Sequence, residues 1–138
     1  MNNRFEKQEI AVDMFVNALK NAGMQSSYGE RQKPRFWRGF VDKDYATEAL
    51  FVRFSIDDNN IPYSADNFDF MQSVEIGGEV YTNNGYFDSQ YLVLCANIEE
   101  CMQENNIDIQ WLGEDTDASF NVDNPIKLKR FTAKIKLI

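Results

Sequence analysis

Histidine is missing altogether from this 138-residue chain. That removes the commonest general base and the commonest transition-metal ligand, and with them most catalytic triads. Cysteine occurs only at Cys95 and Cys101, and two thiols without CxxC pairs do not make a structural zinc site. Six residues apart on a helix, they are separated by a rise of about 9 Å and by roughly 120° around the axis, so they do not bond to each other there. They read as reduced packing thiols of a cytosolic product. No apolar run approaches the roughly 20 residues that span a bilayer. The polar start MNNRFEKQEI is helix-like and unlike a signal peptide. GxGxxG and P-loop patterns are also missing. The pair Gly77-Gly78 lies inside a strand pattern, where it marks a bulge or a close backbone approach better than a phosphate cradle.

Basic residues are missing from the middle. Residues 57–123 hold fifteen Asp or Glu and no Lys or Arg, whereas residues 124–138 hold five Lys or Arg and no acid. Residues 1–56 carry nine basic and seven acidic side chains, and the formal net charge is −8. The layout fits a solvated acidic surface, or an acidic face that meets a basic face on a partner or another copy. Direct binding of nucleic acid through the acidic block is disfavoured by repulsion from phosphates.

What is present is a globular composition, 43% apolar and 14% aromatic, of a length suited to one domain over residues 1–138. Ser73–Ile107 is the strongest signal. Val74, Ile76, Gly78 and Val80 alternate with Glu75, Gly77, Glu79 and Tyr81 as in a strand. Asn83-Asn84-Gly85 breaks the pattern. A helix follows, with Ser89 as its N-cap and Tyr91, Leu94, Cys95, Ile98 and Met102 as its apolar stripe. A first helix is predicted over 4–22. Its stripe is Ile10, Ala11, Met14, Phe15, Ala18, Leu19 and Ala22, and Gly23 is placed to close it.

Residues 24–34 read as a loop, and 35–42 and 48–56 as two strands joined by a short polar link, most economically a hairpin. Ile107–Gly113 alternates as a strand, a loop takes 114–125, and Ile126–Ile138 is a strongly amphipathic strand that pairs with 107–113. The predicted fold is α+β, in the order α-β-β-β-α-β-β. A mostly antiparallel sheet of about five strands carries both helices on one face.

Two stretches stand out as candidate interaction sites. Arg35, Trp37 and Arg38, with Arg31, Lys33 and Phe36, form the chain's basic-aromatic patch. It suits phosphates and a stacked base, or a strand entry whose Arg stems cover aromatic surface. Residues 57–70 form an acidic, aromatic-rich arm, in which Pro62 forbids a central strand. Its Ile61, Tyr63, Phe68 and Phe70 are too apolar for a free monomer to leave in water, so they fold back or meet a partner. Asp115, Asp117, Ser119, Asn121 and Asp123 place oxygens at alternate positions. An EF-hand loop needs Gly sixth and Glu twelfth, where this chain has Phe120 and Ile126, so a solvated acidic turn is the simpler reading. No catalytic residue, metal ligand or cofactor site is singled out.

In this order of elements, beginning with an N-terminal amphipathic helix that leads into a hairpin, and in two segments, the chain resembles the tail-terminator (tail-completion) proteins of long-tailed bacteriophages. Tyr63 and Ala65-Asp66-Asn67, before a strand, are similar to the family's YADN-type segment. The helix ending ECMQENNI runs directly into the strand IDIQWLGEDTD, and KLKRFTAKIKLI closes the chain. The Gly77-Gly78 pair and the long 57–70 arm depart from that pattern. The resemblance implies a non-enzymatic virion protein, made in the host bacterial cytoplasm and placed at the neck of the tail. Such a protein self-associates as a homohexameric ring and caps the tail tube protein. It then docks to the head-completion or connector protein and lets DNA pass through its lumen without specific binding. It needs no cofactor and no membrane. Asp66 and Asn67 join the arm residues as interface candidates. A different reading of the acidic block is a DNA mimic that inhibits a host nuclease or restriction system. A third is a small α+β enzyme or ligand-binding domain, for which the missing histidines and motifs leave little support.

Overall fold

A computed structural model describes residues 4–26, 34–41, 50–57, 73–82, 88–117 and 126–137. The elements are α1 (Arg4–Asn21), β1 (Gln25–Ser26), β2 (Arg35–Arg38), β3 (Leu50–Ile56), β4 (Ser73–Thr82), α2 (Asp88–Glu104), β5 (Ile107–Asp117) and β6 (Ile126–Lys136). The strands form one mixed sheet in the order β1-β2-β3-β4-β6-β5. The class is the expected α+β, with six strands where about five were expected.

Strand β6 lies between β4 and β5 and is antiparallel to both. The unit β4-α2-β5 therefore spans a strand that arrives later in the chain. Both helices pack on one face of the sheet, because Ala11, Phe15 and Leu19 of α1 share a single core with Tyr91, Leu94, Ile98 and Met102 of α2. The stripe predicted for α2 is buried throughout. In α1 the stripe is rotated slightly: Val12 and Gln8 are buried, and Ile10 is 45% exposed. Helix α1 ends as a Schellman motif, with Met24 N–H donating to the Leu19 carbonyl and Gly23 N–H to that of Lys20.

Several boundaries differ from expectation. Helix α2 begins at Asp88, so Ser89 lies within its first turn rather than preceding it. Strand β5 runs on to Asp117, taking up part of the predicted 114–125 loop, because Gly113 at φ 123° absorbs a bulge opposite Phe131 and Arg130 and pairing resumes beyond it. Within the predicted 24–34 loop, Gln25 and Ser26 form β1 beside β2.

The expected hairpin between the second and third strand segments is not formed, for β2 and β3 are parallel. Alternation shows which faces a strand presents but not its direction. The eleven residues between Arg38 and Leu50 are close to the dozen that a parallel return requires. The turn-out begins at Gly39 (φ 79°), whose N–H still donates to the Phe54 carbonyl.

The Gly77-Gly78 pair is a site of close approach and not of a bulge. Phe54, Gly78 and Phe131 lie in one row across β3, β4 and β6 on the helix-covered face. Phe15 of α1 packs over this row, its ring centroid 4.9 Å from that of Phe54 and 5.9 Å from that of Phe131. A Cβ on Gly78 would lie 2.2 Å from the Arg53 carbonyl oxygen and 2.9 Å from both Phe54 Cα and Phe131 Cζ. A Cβ on Gly77, facing the other way, would meet nothing closer than the Phe131 carbonyl at 4.0 Å. Gly78→Ala is therefore expected to cost about 3 kcal/mol through overpacking, and Gly77→Ala to stay within about 0.5 kcal/mol. Urea denaturation of the two variants checks this, and equal midpoints would contradict it.

Candidate interaction face

The sheet face turned away from the helices is built in rows that run across the strands. At one end Arg35, Phe51, Tyr81, Leu128 and Asp115 are successive register partners. Here Trp37, Val41, Phe51, Tyr81 and Leu128 form a second buried cluster. The Phe51 and Tyr81 rings stack at 4.6 Å and 9°. The next row is Trp37, Arg53, Glu79, Arg130 and Gly113, followed by Ser55, Gly77, Thr132 and Gln110. Beyond them Glu75, Lys134 and Asp108 form a further charged row. A shallow depression of about 490 Å³ lies over the middle rows, floored by Gly77 and bordered by Arg53, Glu79, Arg130, Thr132 and Leu112.

Charges on this face alternate in space although they are segregated in sequence. The acidic β5 is laid directly against the basic β6. Arg130 Nη1 donates to Asp115 Oδ2 at 3.0 Å, and Lys136 Nζ is 3.8 Å from Asp108 Oδ2. Arg53 grips Glu79 with two hydrogen bonds, Nε to Oε2 at 2.8 Å and Nη2 to Oε1 at 3.0 Å. Its Nη1 also donates to the Gly39 carbonyl at 3.1 Å. Two-point geometry and partial burial make the Arg53–Glu79 pair the firmest of these. The exposed pairs are screened by solvent and contribute little.

The described part of the basic-aromatic patch does not form a surface, and Arg31 and Lys33 lie outside the described residues. Arg35 and Trp37 are 2% and 5% exposed, and Phe36 is buried in the main core. The reason is the sheet: β2 lies inside it, between β1 and β3, with one face on the helix layer and the other in the second cluster. No open indole face is left for a base to stack on. Arg38 is exposed, but its guanidinium is held in a two-point pair by Glu9 of α1, Nη1 to Oε2 at 3.1 Å. That contact lowers the Glu9 carboxyl below its ordinary range. Ile61, Tyr63, Asp66, Asn67, Phe68 and Phe70, and with them the 57–70 arm beyond Asp57, lie outside the described residues.

Chemistry on the described surface is limited. Cys95 is buried on α2, and burial pushes its thiol up to about 11, the range of an unreactive group. Cys101 is half-buried and its thiol is also raised, by burial first and then by Glu104 and Glu100. Among the described residues, no group of three or more His, Cys, Asp or Glu is gathered to hold a metal ion. Asp115 and Asp117 of the alternate-oxygen spacing belong to strand β5 and not to a turn, and Ser119, Asn121 and Asp123 lie outside the described residues. Among the described helices, none is long and apolar enough to cross a membrane. Sequence reasoning missed the acidic–basic ladder of β5 and β6. The pairing of 107–113 with 126–138 was in hand, and setting Asp108 against Lys134 and Asp115 against Arg130 would have exposed it.

No protein-family model matches the chain, and no curated protein matches it.

The Asp115 carboxyl is held below its ordinary range, first by the Thr116 N–H and then by the Arg130 guanidinium. A lowered folded-state value contributes stability above the unfolded-state value, and that contribution is lost as pH falls through the folded-state one. Arg130→Gln is expected to raise the Asp115 midpoint only part of the way, since the Thr116 hydrogen bond remains. A carboxyl-detected NMR titration checks this, and an unchanged midpoint would show that the ion pair is not formed in solution.

Proposed function

We propose that the chain is a structural virion subunit of the tail-terminator type. In this reading it forms a ring on the head-proximal end of a phage tail tube, ends tube polymerisation and joins the tail to the head connector. The observation that carries the reading is the element order α1, β1-β2-β3-β4, α2, β5-β6, the architectural part of the resemblance without its hairpin after the first helix, since β2 and β3 are parallel. A ring requires a heterologous contact, one patch meeting a different one. Two unlike sheet faces and two unlike sheet edges are compatible with that need. The partners are further copies of the chain, a tail tube protein and a connector protein. The site is the neck of the virion, and no catalytic step or cofactor enters. The exposed acids Glu100 and Glu104 of α2 are suited to a lumen wall that repels passing DNA.

The DNA-mimic reading is the weaker one, because a mimic needs a continuous acidic surface and β6 sets Lys134 and Arg130 among the acids of the open sheet face. The ring reading is tested by adding the purified chain to a polymerising tail tube protein. Native mass measurement should detect a closed ring, and electron microscopy should show shorter tubes capped at one end. Deleting residues 60–69 should abolish the ring while circular dichroism keeps the α+β signature. A chain that stays monomeric and leaves tube length unchanged would overturn the proposal.

A further inference from the structure

The two edges of the sheet are unlike. On one side the sheet stops at β1, two residues long. On the other it stops at β5, eleven residues long and paired, among the described residues, only with β6. Very short edge strands and bulges are two ways of blunting an edge. The bulge in β5 falls between Trp111 and Gly113. It leaves Ile107–Trp111 as an unbroken run, in continuous register with Ile135–Phe131. Alternate peptide groups of such a run point away from β6, ready to pair. Neither proline nor lysine, the usual edge blockers, occurs in it.

We propose that the free edge of β5, over Ile107–Trp111, is a strand-addition site for an extended segment of a different protein in which Lys or Arg alternates with apolar residues. The two faces of β5 specify that pattern. On the helix side, Ile109 and Trp111 are only half-buried and border the main core, so apolar residues of an added strand would complete their cover. On the open side, Asp108 and Gln110 are exposed, with Asp115 exposed beyond the bulge, and β5 contains no Lys or Arg. Strand β6 already satisfies β5 in this way from its other edge. It sets Phe131, Ala133 and Ile135 on the core side and Arg130, Lys134 and Lys136 on the open side. Each well-matched cross-strand pair contributes about 0.2–1 kcal/mol, and like charges placed opposite oppose pairing by a similar amount.

The same charges argue against a second copy as the occupant. Pairing β5 with β5 over Ile107–Trp111 sets Asp108 against Asp108 or the neutral Gln110, so no opposite-charge pair is gained. The basic β6 has both its edges in use, and β1 offers two residues. This docking edge stands whether or not the chain forms a ring.

The test uses the full chain and a short synthetic peptide alternating lysine with valine. On titration, amide NMR shifts and exchange protection should concentrate on Ile107–Trp111. Asp108→Lys, which sets a lysine opposite Lys134 and gives up the 3.8 Å contact to Lys136, should weaken binding about fivefold at a temperature where circular dichroism shows the variant folded. Methylating alternate backbone nitrogens of the peptide on one edge should abolish binding, and methylating those on the other should leave it intact. Equal tolerance of both methylation patterns would overturn the proposal, as that means charge attraction without strand pairing. So would shifts centred on the exposed acids of α2, equal binding of a glutamate-for-lysine peptide, or dimerisation of the chain through β5.

Discussion

The fold depends on a place where a side chain cannot be. Gly78 sits in the middle of β4, between Phe54 on β3 and Phe131 on β6, and its missing Cβ is the space into which the Arg53 carbonyl, Phe54 Cα and the tip of Phe131 close. Only with that row drawn in can Phe15, fully buried on α1, stack within reach of both flanking rings. Trp111 extends the cluster to β5 by an edge contact with Phe131 at 5.9 Å, and Phe36 extends it to β2 through Phe54 at 6.4 Å. One glycine thus sets how closely the strands approach, and with them the seat of the first helix. Removing an aromatic side chain from such a cluster costs about 3–5 kcal/mol, several times what an exposed ion pair contributes. Packing decides the fold, and charge decides how its faces behave.

The charge layout has a structural consequence that its linear form conceals. The acidic middle and the basic end are neighbours in the sheet, and the β5–β6 ladder interleaves them. A chain of net charge −8 therefore presents an alternating rather than a uniformly acidic open sheet face. That lowers self-repulsion within the sheet and makes the open face selective in register, since a displaced partner would meet like charges. Part of the imbalance read as a signal for partners is consumed inside the monomer. Among the described residues, what remains acidic is α2, with Glu100 and Glu104 exposed, and the outer edge of β5.

Both helices, the strand Ser73–Thr82 and the closing hairpin were legible because each carries its own periodicity. The buried faces of α2, β4 and β6 follow directly from spacing. Strand direction was not legible: the parallel pairing of β2 with β3 depends on where an eleven-residue link returns, and alternation is blind to that. Burial of Arg35 and Trp37 was equally hidden. A short strand rich in Arg and aromatics looks the same at an edge, where it would be a binding patch, as it does between two other strands. Its place became known only with β1, a two-residue strand in a segment whose Gly29 and Pro34 argue for a loop. The close approach at Gly77-Gly78 was legible in kind, but its address was not, because the phase that sends Gly78 inward and Gly77 outward matters only once Phe54 and Phe131 stand on either side.

The two sides of the sheet now have distinct physical roles. The helix-covered side is closed: its rows are apolar, its glycine is filled by a neighbour's atoms, and α1 and α2 leave it no free area at the centre. The other side carries charge in alternation over a glycine floor, and at its margin β5 keeps five residues of regular edge before its bulge. The terminating devices are unequal, two residues of β1 against a bulge set midway along β5. Two equally blunted edges would suit a protein that stays alone. A sheet blunted at one edge and regular at the other has a polarity, so that one added strand can dock on one side only. The bulge supports that reading further, for it does not abolish the edge but limits it to a defined length. An added strand would find room to pair along Ile107–Trp111 and be stopped at Leu112, where the ladder loses register.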